Sequence, residues 1–290
     1  MPELPEVETI KRELDKVVLG KKIIDVTVNK PKVIKEPSKD KFIKGLKKVT
    51  IKKILRKGKG LIFELSNGKY LVVHLRMTGQ LVYPGNNSQA RVSFKLSNGK
   101  LLDFNDRRLL GELRLVNNWQ DMKFFKQLGP EIYDLTPDKF SQMLKDKTTK
   151  IKPLLMDQTF IAGVGNLYAA EALFRARIHP TRAAKSLSKK ERKTLFKEIK
   201  DTLNEAIKAK GSSVDQYVQV SGEDGDYAKY HKVYDRKDEP CVKCKTKIKR
   251  IALGGRGTYF CPKCQPAFAK ATAGCPQKSA CGGRRRTKVI

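Results

Sequence analysis

The sequence predicts an α+β fold, in which an N-terminal helix and an antiparallel β-sandwich precede a helical domain that ends in a four-cysteine ribbon. Three observations support this prediction. Strand-like alternation fills the first half of the chain, helical periodicity fills the second half, and two Cys-x-x-Cys pairs lie near the end. Because 290 residues exceed the usual size of one hydrophobic core, we expect more than one domain.

The first half begins with one amphipathic helix. Apolar residues recur at helical spacing between residues 5 and 19, and Gly20 follows where glycine commonly ends a helix. Strand-like segments come next, at residues 23–28, 49–55, 61–65, 70–75, 92–96 and 101–104. Asn-Gly pairs at Asn67 and Asn98 separate such segments and are the strongest short-range signal of a β-hairpin. We therefore expect a mostly antiparallel sandwich that ends near residue 130.

The second half is predicted to be helical. Segments 151–158 and 166–177 have helical patterns, and the glycines of the turn at 163–165 allow a sharp corner between them. Asn166 is expected to cap the second of these helices. A further helix should begin at the capping box formed by Ser188 and Glu191 and should end at Gly211.

The charge of the chain indicates a polyanionic partner. With 62 basic and 30 acidic residues, the formal net charge is +32 at pH 7, which is too large for an ordinary small-molecule enzyme. Nucleic acid is the leading candidate. The sequence has no apolar stretch of about 18 residues and no signal-peptide or lipidation pattern. We therefore expect no membrane partner and a cytoplasmic protein.

Four of the six cysteines form a metal-binding pattern. Cys241 and Cys244 make one Cys-x-x-Cys pair, and Cys261 and Cys264 make a second pair after sixteen intervening residues. This spacing is typical of a zinc ribbon, although iron or two disulfides would also satisfy it. Because four thiolates fill a tetrahedral zinc site, the metal should be structural and not catalytic.

The C-terminal end is strongly basic. From residue 241 to residue 290 there are thirteen basic residues and no acidic ones, so this end should bind a polyanion. Arg256 lies between the two cysteine pairs among glycines, which allow the backbone to approach a phosphate. After residue 265 the composition suggests disorder and an electrostatic tether, in which Cys275 and Cys281 are expected to be reduced thiols.

Four motifs together resemble the formamidopyrimidine-DNA glycosylase family. They are PELPEVE after Met1, IKPLLMDQ at residues 151–158, AGVGNLYAAEALFRARIHP at residues 162–180, and the terminal ribbon, in the order that the family has them. The resemblance covers residues 1 to about 265. It implies a helix-two-turns-helix DNA-binding unit around the GVGN turn. It also implies an enzyme that excises oxidised purines, above all 8-oxoguanine and formamidopyrimidines, and then cleaves the strand.

The resemblance further implies a catalytic site at the amino terminus. Removal of Met1 would leave Pro2 with a free secondary amine, and an α-amino group titrates near about 7.7 to 8.0, so part of it is unprotonated at neutral pH. Attack of this amine on the anomeric carbon would expel the base and form a Schiff base, and β,δ-elimination would then cleave the strand. Glu3 would protonate the sugar ring oxygen, and Lys59 would support base loss and elimination. Glu6 would hold the site together, order a water or complement the helix dipole.

The family's DNA-contacting residues can be carried over by position. Met77 matches the intercalating methionine that fills the gap left by a flipped nucleotide. In the companion loop Arg108 is retained, but Leu110 stands in place of a phenylalanine and has no π face to stack on a base, so opposite-base preference is less well specified than excision. The implied phosphate contacts are His74, Lys152, Asn166, Tyr234 and Arg256. Arg256 also matches the residue implied in the second elimination, and segment 221–227 is expected to cover the lesion.

Taken together, these expectations give four regions. They are a catalytic sandwich domain over residues 1–130, a helix-two-turns-helix domain over 131–235, a zinc ribbon over 236–266 and a basic tail over 267–290. We expect one structural zinc ion, no organic cofactor, and damaged double-stranded DNA as the partner of a monomeric, nucleoid-associated protein. Two alternatives remain open: an endonuclease VIII type enzyme for oxidised pyrimidines, and a non-catalytic zinc-ribbon DNA-binding protein.

Overall fold

A computed structural model describes residues 2–214 and 216–267 of the chain. The predicted basic tail, with Cys275 and Cys281, therefore lies outside the described residues except for residue 267. Within the described ranges an N-terminal β-sandwich is followed by a set of helices and a two-stranded ribbon, so the α+β prediction is confirmed.

The sandwich is built from two helices and nine strands. Its elements are α1 (Leu4–Val17), β1 (Lys22–Val28), β2 (Ile34–Glu36), α2 (Lys39–Leu46), β3 (Val49–Lys57), β4 (Gly60–Leu65), β5 (Tyr70–His74), β6 (Gly79–Gly85), β7 (Ala90–Leu96), β8 (Leu101–Asp106) and β9 (Glu112–Val116). The strand order is β2-β9-β5-β4-β3-β1-β7-β8-β6, and every neighbouring pair is antiparallel except β2 with β9. The short β1–β3 ladder joins two halves that enclose one apolar core.

The helix α1 connects the sandwich to the rest of the molecule. Its apolar stripe, which includes Val7, Ile10 and Leu14, is fully buried in the sandwich core because these residues recur at helical spacing. The helix packs on β3 and also on the long helix of the second half. Its first turn is therefore fixed between the two halves, which places the amino terminus at their junction.

Both predicted hairpins are present. Asn67 and Gly68 turn the chain from β4 into β5, and Asn98 and Gly99 turn it from β7 into β8. Each glycine has a positive φ, +77° at Gly68 and +80° at Gly99, which residues with a Cβ rarely adopt. The sequence pattern missed β2, β6, β9 and α2.

The second half is helical, as predicted. It contains α3 (Lys123–Lys126), α4 (Pro137–Leu144), α5 (Ile151–Met156), α6 (Asn166–Arg175) and α7 (Lys189–Lys208). Ser188 and Glu191 form the predicted capping box at the start of α7. The prediction that Asn166 caps α6 is wrong: Gly165 is the N-cap in an extended conformation, and Asn166 is the first helical residue. The Asn166 side chain instead accepts a hydrogen bond from Lys152.

The ribbon packs against α6 and ends the described part of the chain. Its strands are β10 (Lys249–Leu253) and β11 (Arg256–Phe260), paired in antiparallel register. The apolar cluster beneath it joins Phe174 of α6 to Val233, Ile248 and two of the cysteines. No helix in the described ranges is both long and apolar enough to cross a membrane.

Candidate active site and DNA interface

A cleft of about 470 Å³ lies at the junction of the sandwich, the helices and the ribbon. Its walls bring together side chains from all three parts of the fold. Those among them that the sequence predicted are Glu3, Glu6, Lys59, Met77, Asn166, Tyr234 and Arg256. Residues that lie far apart in the sequence thus share one concave surface, as a site for a flipped nucleotide requires.

Glu3 combines a fixed position with one free oxygen. It immediately precedes α1, and its Oε1 accepts a hydrogen bond from the backbone N–H of Leu167, 3.0 Å away, in the first turn of α6. Its Oε2 is buried and has no hydrogen-bond partner among the described residues. A carboxyl group held in this way can exchange a proton with a ligand in the cleft.

Glu6 is held by groups from both halves of the molecule. One oxygen accepts the backbone N–H of Glu3 at 2.8 Å, and the other accepts the Tyr168 hydroxyl and the backbone N–H of Ser212 at 3.0 Å. Burial foremost, and then the nearby Glu3 carboxylate, raise the pKa of Glu6. Glu6 lies in the first turn of α1, as the helix-dipole role requires, and its side chain also joins α1 to α6 and to the segment after α7.

Lys59 is placed by the tight turn between β3 and β4. Gly58 in this turn has φ +57° and donates its N–H to Glu131 at 2.7 Å, while Arg56 binds the same carboxylate through two hydrogen bonds. The Lys59 side chain is buried, and burial foremost, together with Arg256, lowers its pKa against the opposing effect of Glu3 and Glu6. A lysine with a lowered pKa gives up its proton more readily than an ordinary lysine does.

Pro2 is buried directly before Glu3. Its position follows from α1, since the first turn of this helix is fixed by Leu4, whose N–H donates to the carbonyl of Gly163 at 3.1 Å. Pro2 therefore lies at the edge of the GVGN turn.

Lys152 lies behind the cleft surface and not on it. It is almost fully buried, and its ammonium group donates to the side chain of Asn166 and to Thr258 Oγ1 at 2.9 Å. Burial foremost, together with Arg256, lowers the pKa of Lys152 to about 8. The residue therefore joins α5, α6 and the ribbon, and it fixes the amide of Asn166 that lines the cleft.

The remaining predicted DNA-contacting residues surround the cleft. His74 lines a neighbouring cavity, where its Nδ1 accepts the backbone N–H of Arg76 at 3.1 Å and burial foremost lowers its pKa to about 3. It is therefore neutral at neutral pH and can only donate through Nε2–H. Tyr234 lies in the cleft wall, and its backbone N–H, like those of the two preceding residues, donates to the buried carboxylate of Glu171.

Met77, Arg108 and Leu110 lie on two adjacent loops beside the cleft. The first loop precedes β6 and the second follows β8, and Gly79 at the start of β6 pairs with Asp106 at the end of β8. Arg108 is exposed, and Leu110 is 44 % exposed.

The segment predicted to cover the lesion lies beyond the cleft wall. Residues 221–227 do not line the cleft, whereas Ser212, Val214, Gln216 and Tyr217, which precede them, do. Gly225 is tied back by its N–H to Ser213 Oγ at 2.8 Å. In this structure the residues that precede segment 221–227 form this wall of the cleft.

The four predicted metal ligands form one cluster. The sulfur atoms of Cys241, Cys244, Cys261 and Cys264 all lie within 4.8 Å of one another. Tetrahedral zinc with Zn–S bonds of about 2.3 Å separates its sulfurs by about 3.8 Å, and two of the Sγ pairs here are 3.9 and 3.4 Å apart. Backbone N–H groups point at two of the sulfurs at 3.4 Å, as expected for thiolates. The cluster fits one zinc ion with no open coordination position.

Several functional residues were missed by the sequence reasoning. Tyr168, Ser212, Arg76 and Gln158 line the cleft. Tyr168 and Ser212 donate hydrogen bonds to Glu6, Gln158 donates to the carbonyl of Val164 in the turn, and Arg76 donates to Glu112 at the start of β9. Tyr168 and Gln158 lie within the quoted motifs, so their position there was the available signal. No sequence signal marked Ser212 or Arg76, because their partners are distant in the chain.

Three family models match the chain in order. Residues 1–113 match the formamidopyrimidine-DNA glycosylase N-terminal domain, residues 128–218 the formamidopyrimidine-DNA glycosylase H2TH domain, and residues 238–267 the zinc finger found in FPG and IleRS. Two proteins named formamidopyrimidine-DNA glycosylase are each 44 % identical to the chain. The one from Pelotomaculum thermopropionicum covers 91 % of this chain and 99 % of its own length. The one from Shouchella clausii covers 92 % and 99 %.

Solved structures give the same result. A Lactococcus lactis FPG mutant in complex with Fapy-dG containing DNA superposes with a TM-score of 0.84 at 36 % identity, covering 91 % of this chain and 100 % of that one. The MutM (FPG) protein from Thermus thermophilus gives a TM-score of 0.82 at 37 % identity, covering 91 % and 98 %. The similarity thus extends from the first residues through the ribbon.

Proposed function

The chain belongs to the formamidopyrimidine-DNA glycosylase family and is a base-excision-repair DNA glycosylase and AP lyase, and we propose that it excises oxidised purines through a Schiff base on Pro2. The observation that most supports this proposal is the junction at the start of α1. There the residue after Pro2 presents a buried, unpartnered carboxyl oxygen to a cleft that also contains Lys59.

The proposed reaction begins at the amino terminus. The unprotonated amine of Pro2 attacks the anomeric carbon of the damaged nucleotide, the glycosidic bond breaks, and the base leaves with its bonding electrons and takes up a proton. The bond between the anomeric carbon and the ring oxygen then breaks, the oxygen takes up a proton, and an iminium forms on the Pro2 nitrogen. This iminium withdraws electrons from the neighbouring carbon, so that a proton can be removed there and the 3′ phosphate can leave. A second elimination releases the 5′ phosphate.

We assign the proton transfers to residues that line the cleft. Glu3 protonates the sugar ring oxygen, since its Oε2 is the carboxyl oxygen left free. Lys59 supports base loss and elimination, a role that its lowered pKa favours because a lower pKa makes the ammonium group a better proton donor. Arg256, on the ribbon side of the same cleft, acts in the second elimination. Glu6 lines the cleft and holds α1, α6 and Ser212 together.

Damaged double-stranded DNA is the proposed partner. Met77, Arg108 and Leu110 fill the gap left by the flipped nucleotide, while His74, Asn166, Tyr234 and Arg256 contact phosphates. Lys152 acts through Asn166, because its ammonium group is directed to protein atoms. One zinc ion held by the four cysteines stabilises the ribbon and takes no part in the chemistry. We further propose a monomeric protein that works in the cytoplasm at the nucleoid.

A second candidate substrate is an oxidised pyrimidine. The wild-type Lactococcus lactis FPG has been solved in complex with an oxidized pyrimidine containing DNA, and it resembles this chain with a TM-score of 0.83 at 36 % identity. Leu110 also removes the aromatic ring that the family pattern has in the loop beside Met77. The PELPEVE start favours purines, and we therefore rank oxidised purines first.

The test compares matched duplexes that contain 8-oxoguanine, thymine glycol or no lesion. We expect excision and strand cleavage of the 8-oxoguanine duplex at least about tenfold faster than of the thymine glycol duplex, and no cleavage of the undamaged duplex. Preference for thymine glycol would support the endonuclease VIII type. Tight binding without cleavage of either lesion would support the non-catalytic DNA-binding protein.

A further inference from the structure

Two loops on the sandwich side of the molecule meet at one point of the sheet, and the first of them lines the cleft through Arg76 and Met77. Gly79, which begins β6, is paired with Asp106, which ends β8. Met77 lies two residues before Gly79, and Arg108 lies two residues after Asp106. The register therefore places the Met77 loop (residues 76–78) and the Arg108 loop (residues 107–111) side by side.

The carboxylate of Asp106 binds both loops. It is 1 % exposed, and its Oδ1 accepts the Thr78 hydroxyl from the first loop and the backbone N–H of Arg108, at 3.1 Å, from the second. Its Oδ2 accepts the N–H of Gly111 at 2.6 Å, where the second loop ends. The Thr78 oxygen also accepts the N–H of Arg108 at 3.2 Å. One buried carboxylate and one hydroxyl thus connect the loops directly.

Both loops have a backbone conformation that needs such support. Arg76 has φ +54° and Leu109 has φ +55°, in the left-handed region that residues with a Cβ rarely occupy. Such a conformation persists where the surrounding bonds fix it. Gly111 has no room for a Cβ, which would lie 2.7 Å from the Phe104 ring and 3.0 Å from the Asp106 carboxylate. The second loop is therefore packed tightly onto the Asp106 side chain.

We propose that Asp106, acting through Thr78, is a positioning residue that holds the two loops as one rigid unit, so that Met77 and the Arg108 loop enter the DNA together. The proposal rests on the proposed function, because it concerns residues that fill the gap in damaged duplex DNA. Opening a base step costs several kcal/mol in DNA generally, and a wedge that yields cannot hold the step open. Leu110 increases this need, since it offers no aromatic stacking.

The main variant is Thr78→Val, which keeps the shape of the side chain and removes the hydroxyl that joins the loops. Asp106→Asn is the second variant. The amide nitrogen of asparagine would face the O–H and N–H groups whose hydrogen bonds the Asp106 carboxylate accepts. The matched control is Ser93→Ala. Ser93 of β7 donates a hydrogen bond from its hydroxyl to the buried carboxylate of Asp103 on the neighbouring strand β8. This control therefore removes an equivalent hydroxyl–carboxylate hydrogen bond away from the two loops.

Three measurements separate positioning from general damage. The first is single-turnover excision of 8-oxoguanine from duplex DNA. The second is cleavage of a preformed abasic site in single-stranded DNA, which has no gap to fill. The third is the fluorescence change of 2-aminopurine placed opposite an abasic analogue in duplex DNA, which reports wedge insertion without chemistry. Thermal unfolding of each variant shows whether it is folded.

For Thr78→Val we expect duplex excision to fall about tenfold while single-strand cleavage stays within about twofold, which corresponds to the loss of a hydrogen bond in the duplex complex alone. The 2-aminopurine change should fall by at least about half, and Ser93→Ala should match the wild type. Equal losses in both cleavage assays, or no loss of the 2-aminopurine change, would overturn the proposal. A wild type that cleaves neither substrate would overturn the proposed function instead, and the 2-aminopurine result would still decide the role of Asp106.

Discussion

Two regions contribute residues to the same cleft, and they differ in how their side chains are exposed. The catalytic corner is formed by Glu3, Glu6 and Lys59, and the ribbon is formed by residues 238–267. In the corner the side chains are buried, and burial raises the pKa of Glu6 and lowers that of Lys59. In the ribbon, cations such as Lys249 are exposed, and salt screens their attraction to phosphate. We therefore expect the chemistry to depend on a few fixed contacts and the affinity for DNA to depend on many exposed charges.

The sharpest test of this difference is Glu3→Gln. The amide keeps the shape and can still accept the N–H of Leu167, but it cannot donate a carboxylic proton. We expect the single-turnover excision rate to fall by about 100-fold or more, as general acid catalysis allows, while binding to a duplex with an abasic analogue changes by less than about threefold. The control is Asp15→Asn, which breaks a partly exposed ion pair with Lys11 on the same helix. A Glu3→Gln variant that binds the duplex weakly but excises at the normal rate would contradict this division between chemistry and affinity.

Removal of the metal should have the complementary effect. Cys261→Ala deletes one of four zinc ligands, and the two-stranded ribbon has little core to hold it folded without the ion. We expect loss of bound zinc and duplex affinity lower by about tenfold or more, because the phosphate-binding cations are no longer held in place. Zinc content by mass spectrometry and duplex binding by anisotropy measure these effects. Cys275→Ser, outside the two cysteine pairs, is the control and should keep its zinc. A zinc-free variant that binds DNA normally would show that the ribbon is dispensable.

The pH dependence of the excision rate should respond to changes in the catalytic corner and not to changes in the ribbon. The Tyr168 hydroxyl donates to Glu6 and lowers its pKa, so Tyr168→Phe should raise that pKa further. Protonation of Glu6 removes acceptors that hold Glu3 and Ser212, and the acid limb of the excision rate should therefore move to higher pH. The expected move is about half a unit to one unit, the equivalent of one hydrogen bond.

The control for this experiment is Tyr227→Phe. The Tyr227 hydroxyl is buried close to Tyr168 but has no hydrogen-bond partner among the described residues, so its removal should leave the acid limb in place. An acid limb that is the same in Tyr168→Phe and in the wild type would show that Glu6 does not set the pH dependence.

The smallest effect is expected for a single ribbon cation. Lys249→Ala should reduce the dependence of log affinity on log salt concentration by about 0.9, the contribution of one phosphate contact, and should leave the excision rate at saturating enzyme unchanged. Lys16→Ala, which removes an exposed lysine of α1, is the control and should leave the slope unchanged. A change in excision rate without a change in slope would mean that the ribbon acts in the chemistry and not in affinity.

Local patterns predicted most of the secondary structure. The turns at Asn67 and Asn98 need a positive φ at the following glycine, and the Asn-Gly dipeptide alone signals this in the sequence. By contrast β6, which supports the Met77 loop, contains Pro84 and begins and ends with glycine, which are features that argue against a strand. The helix α2 was missed because it is short and contains Gly45, which has a low helix propensity.

The site was less predictable because its contacts connect distant residues. Thr78 meets Asp106 across 28 positions, and Glu6 meets Tyr168 and Ser212 across 162 and 206. No spacing rule relates such positions, so the sequence identified the residues of the motifs but not the partners that position them. Lys152 shows the consequence, since its place in the family motif suggested a phosphate contact and the structure directs it to Asn166 and Thr258.

The central claim is that Pro2, freed of Met1, is the nucleophile. Borohydride reduction during reaction with an 8-oxoguanine duplex, followed by peptide sequencing of the protein–DNA adduct, tests it directly. We expect one strand attached to the nitrogen of Pro2 in protein that lacks Met1, and no adduct when that nitrogen is acetylated. An adduct on Lys59, or undiminished trapping and excision by protein that retains Met1, would contradict the account.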